Sequence, residues 1–280
     1  MSANIDAKTV EGFGDEWSAF DQSAVSEDEL REIFDSYFAI FPWSRLPEGA
    51  VGFDLGCGSG RWARLVVPRV GRLVCLDASP KAVQVARRRL AEAGKCDFVV
   101  ASAAELPLAD GSMDFGYSLG VLHHVPDTQA GIRDAVAKLR PGAPLLLYLY
   151  YALDNRPWWY VLIYRVTDLM RRAICRLPFP AKYVVTQVIA ATVYLPLARL
   201  ARLVERLGLD ASRLPLAFYR HRSLYSMRTD ALDRFGTRLE KRFSRVEIEA
   251  MMTAAGLEKI SFSPSPPYWC VVGFKADRPT

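Results

Sequence analysis

The chain has 280 residues, 51% of them apolar and 24% charged, with 36 basic against 31 acidic side chains and a net charge of +5. That balance excludes a disordered chain, which needs less hydrophobicity and more net charge, and 18 Gly with 17 Pro exclude a collagen-like or low-complexity one. The length predicts one large domain, or one domain carrying a sizeable insertion, with room for a substantial core.

Taken in chain order, the first 30 residues hold Asp6, Glu11, Asp15, Glu16, Asp21, Glu27, Asp28 and Glu29 without an apolar run. This argues against a secretory signal, so the start reads as mature protein. Residues 50–55 (AVGFDL) are a short apolar run ending at a glycine cluster; residues 61–67 read as helical, 72–77 (RLVCLD) as a second strand and 79–93 as a helix stopped by Gly94. Three more strands are expected at 97–101, 114–119 and 145–150, with a helix from Thr128 to Leu139 closed by Arg140-Pro141-Gly142. Strands alternating with helices predict an α/β fold with a doubly wound, mostly parallel sheet.

Composition then changes. Residues 156–228 carry 13 Lys/Arg and only Asp168, Glu205 and Asp210, a balance of +10, which leaves −5 for the rest of the chain. The asymmetry marks a separate module, expected as short basic, aromatic helices separated by Pro178, Pro180, Pro196 and Pro215. Its longest uncharged apolar stretch, residues 183–198, falls short of the ~20 residues that span a bilayer and is not expected to cross one. Beyond it, Ser244 with Glu247 has the capping-box pattern for a helix over 244–255 stopped by Gly256, and residues 257–262 and 268–274 are expected as an antiparallel edge pair. The expected organisation is 1–49, 50–154, the insertion 155–228, and 229–280. The five cysteines, Cys57, Cys75, Cys96, Cys175 and Cys270, form no C-x-x-C and imply neither a disulfide framework nor zinc, which fits a reducing cytoplasm.

The chemistry begins where the first strand ends. Glycines at 56, 58 and 60, between a strand and a helix, let a ligand approach the backbone closely. The dinucleotide pattern G-x-G-x-x-G would need glycine where Arg61 stands, which weakens a nicotinamide-dependent oxidoreductase. Asp77 ends the second strand, where a doubly wound sheet brings its carboxylate to a ribose diol; the plainer alternative is a helix N-cap acceptor. His123 and His124 follow the fourth strand and are the candidate catalytic residues, as a general base or as turn residues bonded to backbone. No metal is expected, because two adjacent histidines make a poor ligand set.

Four segments in order, FDLGCGSGRWA at 53–63, LDASPKAV at 76–83, AELPLADGSMDFGYSLGVLHHVPD at 104–127 and LRPGAPLLLY at 139–148, resemble the class I S-adenosylmethionine-dependent methyltransferases. Within them the chain is similar to the group related to the quinone-biosynthesis enzymes (methyltransferase type 11). The resemblance implies a seven-stranded Rossmann-like sheet with an antiparallel strand near the C-terminus, and S-adenosyl-L-methionine lying across the carboxyl ends of the strands. It implies that Asp54, Gly56, Cys57, Gly58 and Gly60 surround the methionine portion, that Asp77 holds the ribose and that Ala78 flanks the adenine. Ser102 and Ala103 stand where relatives often carry an acid for the adenine amine, and Leu119 faces the sulfonium side. Residues 1–49 would supply a helical lid through Phe13, Trp17 and Phe20.

The insertion occupies the position where such enzymes build the roof over the acceptor. Its aromatic residues predict an apolar or planar acceptor, and Arg220 and Arg222 an anionic group on it, with Tyr151 and Asp154 as further acceptor contacts. The expectation is transfer of a methyl group to a small-molecule or lipid-like acceptor, at oxygen first and carbon next. The alternatives are a non-catalytic protein that binds S-adenosylmethionine or S-adenosylhomocysteine, and an enzyme at the membrane surface acting on a quinone or lipid-linked acceptor. Nucleic acid is not expected, since the rest of the chain is acidic. Oligomeric state is left open.

Overall fold

The computed structural model describes residues 4–211 and 214–277. Its strands are β1 Val51–Leu55, β2 Arg72–Asp77, β3 Cys96–Val100, β4 Phe115–Leu119, β5 Pro144–Tyr148, β6 Leu257–Phe262 and β7 Cys270–Lys275. The helices are α1 Ala7–Ala19, α2 Glu27–Tyr37, α3 Ala63–Val66, α4 Pro80–Arg89, α5 Thr128–Lys138, α6 Trp158–Ile174, α7 Phe179–Ile189, α8 Leu195–Arg206, α9 Leu224–Gly236 and α10 Arg245–Ala254. The chain divides into two compact units, Met1–Asp21 with Leu30–Asp154 and Leu239–Thr280, and Gln22–Glu29 with Asn155–Arg238.

The first unit is built on a seven-stranded sheet in the order β3-β2-β1-β4-β5-β7-β6. Strands β1 to β5 run parallel, and β7 runs antiparallel to β5 on one side and β6 on the other. Parallel strands covered on both faces read as unbroken apolar runs, and Leu73–Leu76 of β2 and Phe115–Leu119 of β4 are buried throughout. One face packs Phe53, Leu55, Leu145 and Leu147 with Ile132 and Val136 of α5 and Ile248 and Met252 of α10. Elsewhere in the unit Tyr117 meets Phe38 at 5.3 Å and Phe115 meets Phe41 at 6.0 Å, edge to face. The expected caps form: Ser79 opens α4, Asp127 opens α5, and Ser244 with Glu247 closes the reciprocal capping box of α10. The helix expected over 61–67 shrinks to Ala63–Val66 plus a 3₁₀ turn at Val67–Arg69, because Pro68 offers no N–H to continue it.

The second unit departs from the expected 155–228 in two ways. It extends to Arg238, because buried Arg171 of α6 pairs with Asp168 at 2.7 Å and donates to the Thr237 carbonyl at 2.9 Å, tying down the end of α9. It also takes residues 22–29 from the stretch expected as part of the lid. Glu29 receives the Ser223 N–H at 3.1 Å and the Ser226 hydroxyl at 2.7 Å, placing a carboxylate at the N-terminus of α9, where the helix dipole favours it. The core joins Ile174, Ala190, Tyr194 and Ala198 to Met227, Ala231 and Phe235.

The prolines do not divide the apolar segment as expected. α7, a π-turn at Ala190–Tyr194 and α8 run on as one helix, Phe179–Arg206, 28 residues long and apolar enough by length and composition to cross a membrane. Pro196 sits in the first turn of α8, just after the wide π-turn, so a ring that would break a regular ladder is accommodated there. Only 28% of its most apolar window is buried.

Candidate functional site

The order of strands places the site. Chain growth reverses between β1 and β4, and in open α/β sheets ligands lie outside the carboxyl ends of the strands at such a reversal. Three segments end there: the glycine loop after β1, Asp77 at the end of β2, and Gly120 with the 3₁₀ turn Leu122–His124 after β4.

The loop is held by its neighbours. Gly56 and Cys57 both donate their N–H to the Leu76 carbonyl, at 2.7 and 2.9 Å, so the loop folds back over the end of β2. Gly56 has φ +82, and a Cβ there would lie 2.2 Å from a methyl of Val121; Gly58 has φ +53, and a Cβ would lie 2.8 Å from the Trp17 indole. The glycines are required by conformation and by close approach together. Trp17 on α1 thus lies against the loop, with the Arg61 guanidinium 5.8 Å from its ring, and Lys81 on α4 ties α1 down through Asp15 at 2.6 Å.

Two carboxyls flank the loop. Asp77 accepts the Gly58 N–H at 2.9 Å and the Ser79 N–H at 2.8 Å, so it orders both the loop and the start of α4; each oxygen keeps a second lone pair for a ligand hydroxyl. Loss of water raises its pKa, against the pull of those two bonds. Asp54 is buried and accepts the Tyr117 hydroxyl at 3.0 Å; burial pushes it up to about 8, that hydrogen bond lowers it, and the Asp77 charge raises it further. Its proton is therefore held well above the usual carboxylate range. The Cys57 thiol bonds to Cys75, which pulls its pKa down, but burial and the two nearby carboxylates push it up to about 11, so it is inert as a nucleophile.

The histidines differ in kind. His124 Nδ1 lies 2.6 Å from the Leu239 carbonyl, which can only accept, so that nitrogen carries a proton and in the neutral form of the ring the lone pair lies on Nε2. His123 Nδ1 accepts the Tyr150 N–H at 3.4 Å, so its proton lies on Nε2. His123 is fully buried, its ring stacked 3.8 Å from Tyr150, and burial, then the neighbouring His124 and Arg242, hold its pKa well below the usual imidazole value. A neutral imidazole with its proton on Nε2 is a hydrogen-bond donor rather than a base. Phe13 of α1 approaches His124, ring centroids 4.9 Å apart.

The remaining predicted residues separate into two groups. Ala78, Ala103 and Leu119 lie at the ends of β2, β3 and β4 on this side of the sheet, with Ala103 and Leu119 buried, and the Ser102 hydroxyl accepts the Ala104 N–H at 3.3 Å within its own turn. Asp154, expected to meet an acceptor, is engaged instead by the Trp269 indole N–H at 3.2 Å and the Arg245 N–H at 3.1 Å, where it anchors the start of α10. Tyr151 bridges to Phe243 and its carbonyl accepts from Arg242 at 3.3 Å. Arg220 and Arg222 belong to the second unit. Arg220 pairs with Glu205 at 2.7 Å, and Arg222 is buried with its guanidinium 5.1 Å from the Phe218 ring.

Sequence reasoning missed Tyr117, Val121 and Leu239. Tyr117 faces Asp54 because β1 and β4 are neighbours in register, with Asp54 opposite Tyr117. No local pattern signals that pairing, which joins residues 63 apart in sequence. Among the described residues there is no cluster of His, Cys, Asp and Glu suited to a metal.

The residues present fit a nucleoside-bearing cofactor with a charged amino-acid tail. The loop is a cradle that side chains would fill, two carboxyls flank it, and the Ser59 hydroxyl and His123 Nε2 are buried without a partner among the described residues. Comparison with known proteins agrees. Residues 53–147 match the methyltransferase domain family Methyltransf_11. The chain is similar to the 27-O-demethylrifamycin SV methyltransferase of Amycolatopsis mediterranei, 36% identical over 45% of this chain and 47% of that one. It is likewise similar to the ubiquinone biosynthesis O-methyltransferase of Xanthomonas axonopodis, 35% identical over 36% of this chain and 43% of that one. A third relative is the tRNA (carboxymethyluridine(34)-5-O)-methyltransferase ALKBH8 of Macaca fascicularis, 33% identical over 46% of this chain and 21% of that one. The chain therefore spans less than half the length of these curated relatives. A methyltransferase chain solved with the Haloferax volcanii Trm112 activator shares the fold, with TM-score 0.51 and 17% identity over 94% of this chain and 97% of that one. Residues 53–147, with the strands and helices that complete their sheet, form a class I S-adenosylmethionine-dependent methyltransferase domain, and S-adenosylmethionine is its cofactor.

Proposed function

We propose that the protein transfers a methyl group to a hydroxyl oxygen of a small-molecule acceptor, with His124 as the base. The observation that carries the choice of base is the 2.6 Å bond from His124 Nδ1 to the Leu239 carbonyl, which leaves the basic nitrogen at Nε2. Oxygen as the acceptor atom draws support from relatives whose names state O-methylation. When bound, S-adenosylmethionine supplies an electrophilic methyl on a sulfonium. Asp77 would hold the ribose hydroxyls, the N–H groups of the glycine loop and the Asp54 carboxyl would receive the amino-acid tail, and Trp17 would exclude water beside Gly58. His124 would take the proton from the acceptor hydroxyl at Nε2 as the oxygen attacks, and the Leu239 carbonyl would steady the ring as it becomes cationic. His123 would donate a hydrogen bond from Nε2. We place the enzyme in the cytoplasm, a reading supported by five free thiols.

The test is a radiolabelled methyl-transfer assay on a panel of phenolic and aliphatic alcohols, with bulk tRNA as the competing acceptor. His124→Asn is expected to lower kcat by about 100-fold or more and to remove the ascending limb of the pH profile, with affinity for S-adenosylhomocysteine retained. Unchanged kcat in that variant, or methylation of tRNA alone, would overturn the assignment.

A further inference from the structure

Two helices of the second unit each present an apolar stripe that the unit's core does not use. On α6, Trp158, Leu162, Val166 and Leu169 follow one another at helical spacing and are 77, 54, 54 and 67% exposed. Along α8 and at its C-cap, Leu200, Leu203 and Leu207 repeat at intervals of three and four, with exposures of 49, 53 and 68%. Large apolar side chains collected in stripes, rather than scattered singly, mark an interaction surface.

Basic residues run beside both stripes. Arg199, Arg202 and Arg206 precede Leu200, Leu203 and Leu207 by one position each, so an arginine column adjoins the leucine column on α8. On α6, Arg165 and Arg172 fall on the flank of the line through Trp158, Leu162 and Leu169. The acids of these helices are already satisfied: Asp168 pairs with Arg171 and Arg172, and Glu205 with Arg220 and His221. Arg165, Arg199, Arg202 and Arg206 enter no ion pair among the described residues. An apolar stripe beside unpaired guanidinium groups matches the boundary of an anionic bilayer, where leucines enter the acyl region, arginines reach the phosphates and tryptophan sits at headgroup level.

We propose that α6 and α8 dock the protein on the surface of an anionic membrane. The helix Phe179–Arg206 lies on the bilayer and does not cross it. Ala190, Tyr194 and Ala198 of this helix belong to the core of the unit, and Lys182 donates to the Gly236 carbonyl at 3.1 Å, so insertion would strip that core from α9. Docking stands independently of the methyl-transfer reading, and it would give the enzyme acceptors that partition into lipid.

The experiment is flotation of the full chain with equimolar phosphatidylcholine–phosphatidylglycerol vesicles, beside pure phosphatidylcholine. The chain is expected to float with the anionic vesicles at low salt and to bind the neutral ones at least about tenfold more weakly. Leu162→Glu with Leu169→Glu, and separately Leu200→Glu with Leu203→Glu, should abolish flotation, while Arg199→Ser with Arg206→Ser should weaken it about thirtyfold. All six positions are exposed, and circular dichroism with an unchanged S-adenosylhomocysteine isotherm verifies that each variant is folded. Absence of flotation at low salt, equal binding to both vesicles, or leucine variants that float like the parent would each overturn the proposal. So would a shift from dimer to monomer in the leucine variants without any vesicle binding, which would assign the stripe to a second copy, or tRNA binding that the arginine variants lose while vesicle binding is absent.

Discussion

The two units meet the cost of burial in opposite ways. The first covers both faces of a sheet, so that β2 and β4 are apolar and enclosed along nearly their whole length, and its polar groups concentrate at the carboxyl ends of the strands. The second packs one side of its helices around Tyr194, Met227 and Phe235 and leaves Trp158, Leu169 and Leu207 more than half exposed. A sheet closed on both faces has room for chemistry only where its loops meet, and there the backbone is forced into unusual conformations. A helical layer with a free apolar face has its chemistry of recognition on the outside. A buried acid such as Asp54 departs from the usual distribution, as do the stripes of exposed leucines on α6 and α8, whereas one exposed leucine alone does not.

The comparison breaks most easily at the glycine loop. Gly56→Val would force a side chain to within 2.2 Å of Val121 at φ +82, and calorimetry should show S-adenosylhomocysteine affinity reduced by more than about 100-fold together with a clear loss of stability. Asp77→Ala removes the acceptor for two backbone N–H groups as well as the proposed ribose contact; the expected rise in Kd for S-adenosylhomocysteine is about 100-fold, and a change within about twofold would refute the ribose placement.

A pH series sharpens the contrast. The Asp54 pKa is raised to about 8 in the folded state from 3.8, so the folded chain holds a proton that the unfolded chain releases. Stability from this group is complete at low pH and falls as pH rises from about 4 to about 8, by at most about 1.4 kcal/mol per unit. Asp54→Asn should lack that fall, so urea unfolding of the two proteins should diverge steadily across the interval and run parallel above it. The smallest effect separates the surfaces: Ser244→Ala, which removes the capping box of α10, should cost about 1 kcal/mol, while Leu203→Glu on α8 should change stability by no more than about 0.5 kcal/mol.

Much of the first unit was legible because its signals are local. The glycine loop, Asp77 after an apolar run, Asp127 before α5 and the Ser244–Glu247 pair each declare themselves within a few residues, and the order of strands and helices follows. The roles of the two histidines were not legible. What distinguishes them is a carbonyl of Leu239 and an N–H of Tyr150, far along the chain and brought in by the fold. Asp154 misled for the same reason, since nothing near it announces that Trp269 and Arg245 will claim its oxygens.

The insertion shows the boundary between the two kinds of information. Its charge and aromatic content identified a distinct module, but counting prolines predicted broken helices where a π-turn carries one helix through Pro196. By itself, then, the sequence determined the parallel sheet, the glycine loop and the basic character of the insertion, because periodicity, capping and charge act over one or two turns of chain. Tertiary structure alone decided the Asp54–Tyr117 pair, the proton positions on His123 and His124, the capture of residues 22–29 by α9 and the faces of α6 and α8 left outside. Those outcomes depend on which distant groups become neighbours, and that is set by packing.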